Sequence, residues 1–192
     1  MIEAELKAVV RDPDALLRRL EGAHGPGRAE VYRDTYYDTP DAQLDAADRE
    51  LRIREVTAED GSRAVLLTFK DARVDEASGS KPEHETRVAD GGAAHAIVRG
   101  LGHRPVLAFE KRCRTYAFEH RGRRMLATLV RVTELDGVFL EVETGAADAR
   151  ELPAALAAVR AVLAGLGISG EDLTTTPYTA AVTAARSRCQ GK

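Results

Sequence analysis

Five stretches of this 192-residue chain set charged or polar side chains at every second position. Glu3, Glu5 and Lys7 alternate with Ile2, Ala4 and Leu6, and Arg52 and Arg54 alternate with Leu51 and Ile53. Thr68 and Lys70 stand opposite Leu67 and Phe69, Lys81, Glu83, Glu85 and Arg87 form a fourfold row, and Glu141 and Glu143 alternate with Leu140 and Val142 in the run from Phe139. On a strand, alternate residues lie about 7 Å apart on one side, so each row shares a face. One row alone is most simply the wet face of an antiparallel sheet. Five rows, acidic on the first, fifth and last strands and basic between, mean more if the sheet closes with those faces inward. Such a tunnel holds both carboxylates and cations. A triphosphate needs that mixture: Lys and Arg to grip phosphate oxygens, and carboxylates to hold Mg²⁺ or Mn²⁺, hard cations that prefer oxygen. Transfer at phosphorus is then mostly positioning and charge neutralisation.

The elements that must position these rows follow from pattern and punctuation. Ile2–Val10 alternates with period two, as a two-faced strand does. Asp12 followed by Pro13 predicts an N-capped helix with the apolar stripe Leu16, Leu17 and Leu20, stopped near Gly22. Strand-like runs recur at Glu30–Tyr37, Glu50–Val56, Arg63–Lys70, Lys81–Val88, Val106–Phe118, Arg124–Val132 and Val138–Glu143, with a short helix over Ala93–Leu101. An Ala/Leu-rich helix capped by Asp148 follows, its face over Glu151–Leu166 expected to pack on the sheet, and Pro177 opens a last helix. The expected class is α+β, one domain over residues 1–192 with a loose tail after about 186. Periodicity does not choose between barrel and sandwich.

Composition narrows the function. A net charge of −3 and a pI near 6.0 argue against wholesale attraction to nucleic acid or an anionic membrane. No apolar run approaches the ~20 residues of a bilayer span, and strand-like sequence directly after Met1 leaves no room for a leader, so a cytoplasmic location is expected. Cys113 and Cys189 are far apart and fit no metal spacing; the five histidines also lack it, and there is no Gly-rich phosphate loop.

At Glu3-Ala4-Glu5-Leu6-Lys7 the sequence resembles the ExExK opening of the CYTH superfamily, the triphosphate tunnel metalloenzymes. The likeness continues through Asp34-Thr-Tyr-Tyr-Asp-Thr-Pro40, Glu50-Leu-Arg-Ile-Arg54, Leu67-Thr-Phe-Lys70, Glu83-His-Glu85, Glu110-Lys111 and Phe139-Leu-Glu-Val-Glu143, to about Tyr178. It is most similar to the class IV adenylyl cyclase branch. The resemblance implies a closed eight-stranded antiparallel β-barrel with helices packed outside, binding triphosphate lengthwise with Mg²⁺ or Mn²⁺. It implies Glu3, Glu5, Glu141 and Glu143 as metal-binding acids, with Glu83 and Glu85 as further inward candidates. It implies Lys7, Arg52, Arg54, Lys70, Arg87 and Lys111 as bases that grip the triphosphate, with Glu5, Lys7 and Lys70 nearest the chemistry. Tyr37 and Asp38 read as architectural. Family relatives are often dimers, which makes a homodimer an expectation.

Two positions depart from the family pattern. Val130 stands where an Asp that approaches a metal is usual, with Glu134 and Asp136 as nearby acids. Cys113 takes the place of an Arg, unless Arg112 or Arg114 turns inward. Three functions stay open: cyclisation of ATP to cyclic AMP and pyrophosphate; hydrolysis of inorganic triphosphate, thiamine triphosphate or a nucleotide; and non-catalytic binding of polyphosphate or nucleotide. The branch likeness puts the cyclase first, and Val130 weighs against it. Tyr32, Tyr36 and Phe118 are the candidates for stacking an adenine.

Overall fold

A computed structural model describes residues 1–190. Eight strands close into one antiparallel barrel: β1 (Ile2–Val9), β2 (Arg28–Asp38), β3 (Glu50–Ala58), β4 (Arg63–Lys70), β5 (Lys81–Val88), β6 (Arg104–His120), β7 (Arg123–Val132) and β8 (Phe139–Ala146). Their order around the barrel is β1-β5-β4-β3-β2-β6-β7-β8, closed by β1 pairing with β8. The β1–β5 seam is short, only Ile2 opposite Pro82 and Glu3 opposite Lys81, so most of β5 is unpaired on that side. Barrel and sandwich, which periodicity leaves undecided, are separated by these pairings.

Five helices accompany the barrel: α1 (Pro13–His24), α2 (Gln43–Ala46), α3 (Gly91–Gly100), α4 (Leu152–Gly165) and α5 (Tyr178–Gln190). Asp12 caps α1, accepting from the Ala15 N–H at 3.0 Å. Asp148 does not cap α4; it turns the chain by accepting from the Arg150 and Glu151 amides, and the helix starts at Leu152 with Pro153 in its first turn. Helix α5 continues to Gln190, and the end of the tail expected to be loose, residues 191–192, lies outside the described residues.

Alternation decides what each wall shows. Ile2, Ala4, Leu6 and Ala8 of β1 are buried on the outer face, where the first three join Leu140 and Val142 of β8 and Leu156, Val159 and Leu163 of α4 in the main core. Burying each Val or Leu contributes about 1.5–3 kcal/mol, so α4 is welded to the β1–β8 wall. Helix α3 covers β3 and β4 likewise, through Ala94 and Val98 against Ile53. Helix α5 docks differently. Its stripe Tyr178, Val182 and Ala185 has the i, i+4, i+7 spacing of one helical face, and Tyr178 and Val182 pack with Tyr36, Phe109, Cys113, Val130 and Val132. Cys113 and Val130 oppose one another and belong to the inward faces of β6 and β7, so α5 plugs one mouth of the barrel.

Candidate functional site

Strand register gathers the charged rows. Across β1 and β8, Glu5 faces Glu143 and Lys7 faces Glu141. Across β3, β4 and β5, Arg52 faces Thr68 and Thr68 faces Glu85, while Lys70 faces Glu83. Their side chains enclose a cavity of about 260 Å³ at the end plugged by α5, lined by six acids (Glu3, Glu5, Asp48, Glu50, Glu141, Glu143) and seven bases (Lys7, Arg52, Arg54, Lys70, Arg73, Lys81, Lys111). A wider cleft of about 1260 Å³ opens toward the β5 seam and shares Glu3 and Glu143 with it.

The acids crowd. Carboxylate oxygens of Glu3, Glu5 and Glu143 lie within 4.8 Å of one another. Burial, with Glu141 and Glu3 adding repulsion, pushes Glu5 up to about 8. Burial followed by Glu3 and Glu5 raises Glu143, and burial raises Glu3 despite the opposing charge of Lys70. Three half-desolvated carboxylates with one ammonium among them are short of positive charge, and hard oxygen donors at this spacing suit Mg²⁺ or Mn²⁺.

The bases are unevenly committed. Arg54 grips Asp34 through two bonds of 2.6 and 2.8 Å; Lys111 and Arg52 reach the same carboxylate at 3.7 and 4.0 Å. Burial opposes charge on Asp34, but these three cations outweigh it and hold the acid well below the ordinary carboxylate range. Lys70 contacts Glu3 and lies 2.8 Å from Glu83; burial disfavours its charge, yet these acids keep its pKa well above the usual value. Lys7 is lowered, chiefly by burial. At the mouth, Asp48 ties Arg73 at 2.6 Å and Lys81 at 3.1 Å, binding the β4–β5 loop to the turn after α2. The Tyr178 ring lies 4.2 Å from Lys7 Nζ and 4.3 Å from Lys111 Nζ, and burial pushes its phenol far up.

The sequence matches the CYTH domain family over residues 1–178. The chain belongs to that family. A relative from Methanocaldococcus jannaschii named "Putative adenylate cyclase MJ0240" is 27% identical over 179 residues, 93% of this chain and 97% of that protein. Among solved structures, PH1819 from Pyrococcus horikoshii OT3 matches with a TM-score of 0.82 and 27% identity, covering 94% of this chain and 98% of that one. HpAC1 from Hippeastrum, a putative adenylyl cyclase described as having a dominant triphosphatase activity, matches in fold with a TM-score of 0.61 at 16% identity, over 95% of each chain.

The CYTH barrel brings Glu3, Glu5, Lys7, Arg52, Arg54, Lys70, Lys111, Glu141 and Glu143 to one cavity. Four other candidates lie elsewhere. Glu83 and Glu85 line the wider cleft instead, Glu83 serving Lys70 and Glu85 accepting from Thr68 Oγ1 at 2.8 Å. Arg87 keeps inward parity opposite Leu66 but is exposed, beyond the cavity lining. Arg112 points outward with 74% of its side chain exposed, beside Glu110 at 3.6 Å, because its neighbours Lys111 and Cys113 take the inward positions. Arg114 also stays outside, bonded to Glu21 at 2.9 Å. Val130 is fully buried among apolar side chains, Glu134 is bound to Arg186 at 2.6 Å, and neither Glu134 nor Asp136 lines the cavity. Asp38 is architectural, accepting from the Thr39, Leu44 and Asp45 amides at the start of α2. Asp34, Asp48, Arg73 and Tyr178 were not singled out as site residues from sequence. Asp34 and Tyr178 leave a trace there, as the first residue of the Asp34–Pro40 stretch and as the end of the family likeness.

Proposed function

We propose that this CYTH protein hydrolyses a terminal phosphoanhydride bond of a triphosphate, with inorganic triphosphate the best-fitting substrate and a divalent cation as cofactor. One observation carries the choice over cyclisation: the aromatic candidates for stacking a base are already engaged. Tyr36 stacks on Phe109 at 5.6 Å, Tyr32 lies under Arg54 with its hydroxyl on Glu30, and Phe118 stacks on His24. The charged cavity, at about 260 Å³, falls just below the usual range of ligand pockets, about 300–1,000 Å³.

Glu3, Glu5 and Glu143 are the residues that would hold the cation, with Glu141 beside them. When bound, it neutralises phosphate oxygens and acts as a Lewis acid. Lys111, Arg52 and Lys70 bind the phosphate chain, and Asp34 fixes the guanidinium of Arg54 and the direction of Lys111. Water attacks the terminal phosphorus; the new P–O bond forms as the anhydride bond breaks, giving orthophosphate and diphosphate. Lys7, lowered by burial, is suited to hold or release the proton lost by that water.

A second reading, cyclisation of ATP, is favoured by the name of the M. jannaschii relative, which this chain matches over nearly its whole length. Incubation of purified protein with Mg²⁺ or Mn²⁺ and ATP, inorganic triphosphate or thiamine triphosphate, followed by chromatography, separates them. Orthophosphate release from inorganic triphosphate is expected. Cyclic AMP with pyrophosphate replaces this reading with the second. Tight triphosphate binding without turnover removes both.

A further inference from the structure

We propose that Tyr178 is a substrate-contacting residue: its hydroxyl donates to an oxygen of the phosphate chain, and its ring sets the spacing of Lys7 and Lys111. This rests on the triphosphate reading of the cavity. The hydroxyl is the first observation. Tyr178 is 7% exposed, and its buried oxygen makes no hydrogen bond of good geometry among the described residues, the Glu141 carboxylate being the acid that acts on it. A phenylalanine of the same shape would fill the space with no polar group to satisfy, so a poorly paired hydroxyl at the cavity wall has a donor to offer an oxygen that enters, in competition with Glu141.

A second observation says what acceptor. Arg52 Nε, another side-chain atom lining the same cavity, is also buried and unpaired. One is a phenol O–H and the other a guanidinium N–H, both donors, and a multivalent oxyanion satisfies both at once. The third is the ring. Two ammonium groups within 4.3 Å of one aromatic ring repel each other, and the negative π-face offsets part of that repulsion. Phe139 meets the ring edge-on at 5.3 Å and holds its plane. The segment before α5 is tied to β1: Thr174 N–H donates to Lys7 O at 2.8 Å, and Lys7 Nζ donates to Thr176 O. Tyr178 is therefore delivered to the cavity from a part of the chain about 170 residues from Lys7.

The test uses Tyr178→Phe and Tyr178→Leu in the full chain, with kcat and KM for inorganic triphosphate plus Mn²⁺, thermal melting, and calorimetric binding of tripolyphosphate in EDTA. Tyr178→Phe is expected to lose about 10- to 100-fold in kcat/KM, the range for a hydrogen bond to a charged group, while its Tm stays level or rises. Tyr178→Leu is expected to weaken metal-free tripolyphosphate binding further, because the Lys pair loses its ring. Tyr178→Phe with kcat/KM within twofold of wild type overturns the proposal alone. Wild-type protein that neither binds tripolyphosphate nor turns it over overturns the reading of the site and this proposal with it.

Discussion

Glu5→Gln should remove activity and at the same time stabilise the metal-free protein at alkaline pH. Glu5 is raised from the ordinary carboxylate value to about 8 by burial and by Glu141 and Glu3. Between about pH 5 and 8 the folded protein therefore holds a proton on Glu5 that the unfolded chain has released. Folded binds more protons than unfolded, so stability falls as pH rises. One such group gives a slope of about 1.4 kcal/mol per pH unit, or about 4 kcal/mol across this window. For a chain of this size that is roughly 8–16 °C in Tm. Gln keeps the shape and removes Glu5's share of the slope, and it also relieves Glu143, whose rise owes part of its size to Glu5, while burial leaves Glu143 and Glu3 a smaller slope of the same sign. The assay is thermal melting of both proteins at pH 5, 6, 7 and 8, in EDTA and in Mn²⁺. In EDTA the wild type should lose Tm toward pH 8 and the variant should lose clearly less; Mn²⁺ should flatten the wild-type curve and leave the variant nearly unmoved. A flat wild-type curve in EDTA, or a variant that melts at or below wild type at pH 8, refutes the crowded-carboxylate argument.

Lys111→Ala should lower kcat/KM by at least about 30-fold, since Lys111 is buried beside Asp34 and Tyr178, whereas Arg112→Ala should stay within twofold; steady-state kinetics on the pair test the inward parity of β6. Asp34→Asn leaves Arg54 short of its charged partner and should cost about 3–5 kcal/mol by urea denaturation. Asp34 is held below its ordinary value, so its contribution is present above about pH 4 and lost on acidification; the variant should lack that part of the acid sensitivity. Val130→Asp should cost on the order of 3 kcal/mol or more and give no gain in Mn²⁺ affinity by calorimetry, because the position is walled by Phe139, Cys113 and Tyr178.

Much of the barrel was written locally. Period-two alternation in Ile2–Val9 is a property of neighbouring residues, and so is the sharing of a face by Glu3, Glu5 and Lys7 or by Arg52 and Arg54. Pairings across strands are not local. Asp34 sits in an Asp-Thr-Tyr-Tyr run that reads as packing, and only the β2–β3 register, which sets it opposite Arg54, makes it the anchor of three bases. Whether Arg112 or Arg114 turns inward is not legible because Lys111, Arg112 and Arg114 are all cationic, so the charge pattern has no phase; the buried positions Phe109, Lys111 and Cys113 supply it. Asp48 and Arg73 come from turns, where no period exists to mark them. The stripe Tyr178, Val182 and Ala185 is legible as a helix face. What it covers is not, since that depends on the inner faces of β6 and β7 being apolar.

The departure at Val130 and the plug by α5 are two sides of one arrangement. A carboxylate on the inner face of β7 would lie against Tyr178 and Val182, and the apolar wall of β6 and β7 is what lets α5 enter the mouth. Charge is thereby confined to the arc formed by β8, β1, β5, β4 and β3, with Lys111 and Asp34 at its far edge. Within that arc most bases already face acids: Arg54 with Asp34, Lys70 with Glu3 and Glu83, Lys81 with Asp48 and Glu50. A polyanion entering alone must break these pairs. On the proposed reading, Glu3, Glu5 and Glu143 would hold a divalent cation that balances the negative charge now facing Lys70, which would leave the Lys70 ammonium for phosphate. Cation and triphosphate binding would then be coupled through Lys70, each raising the affinity for the other by the same factor.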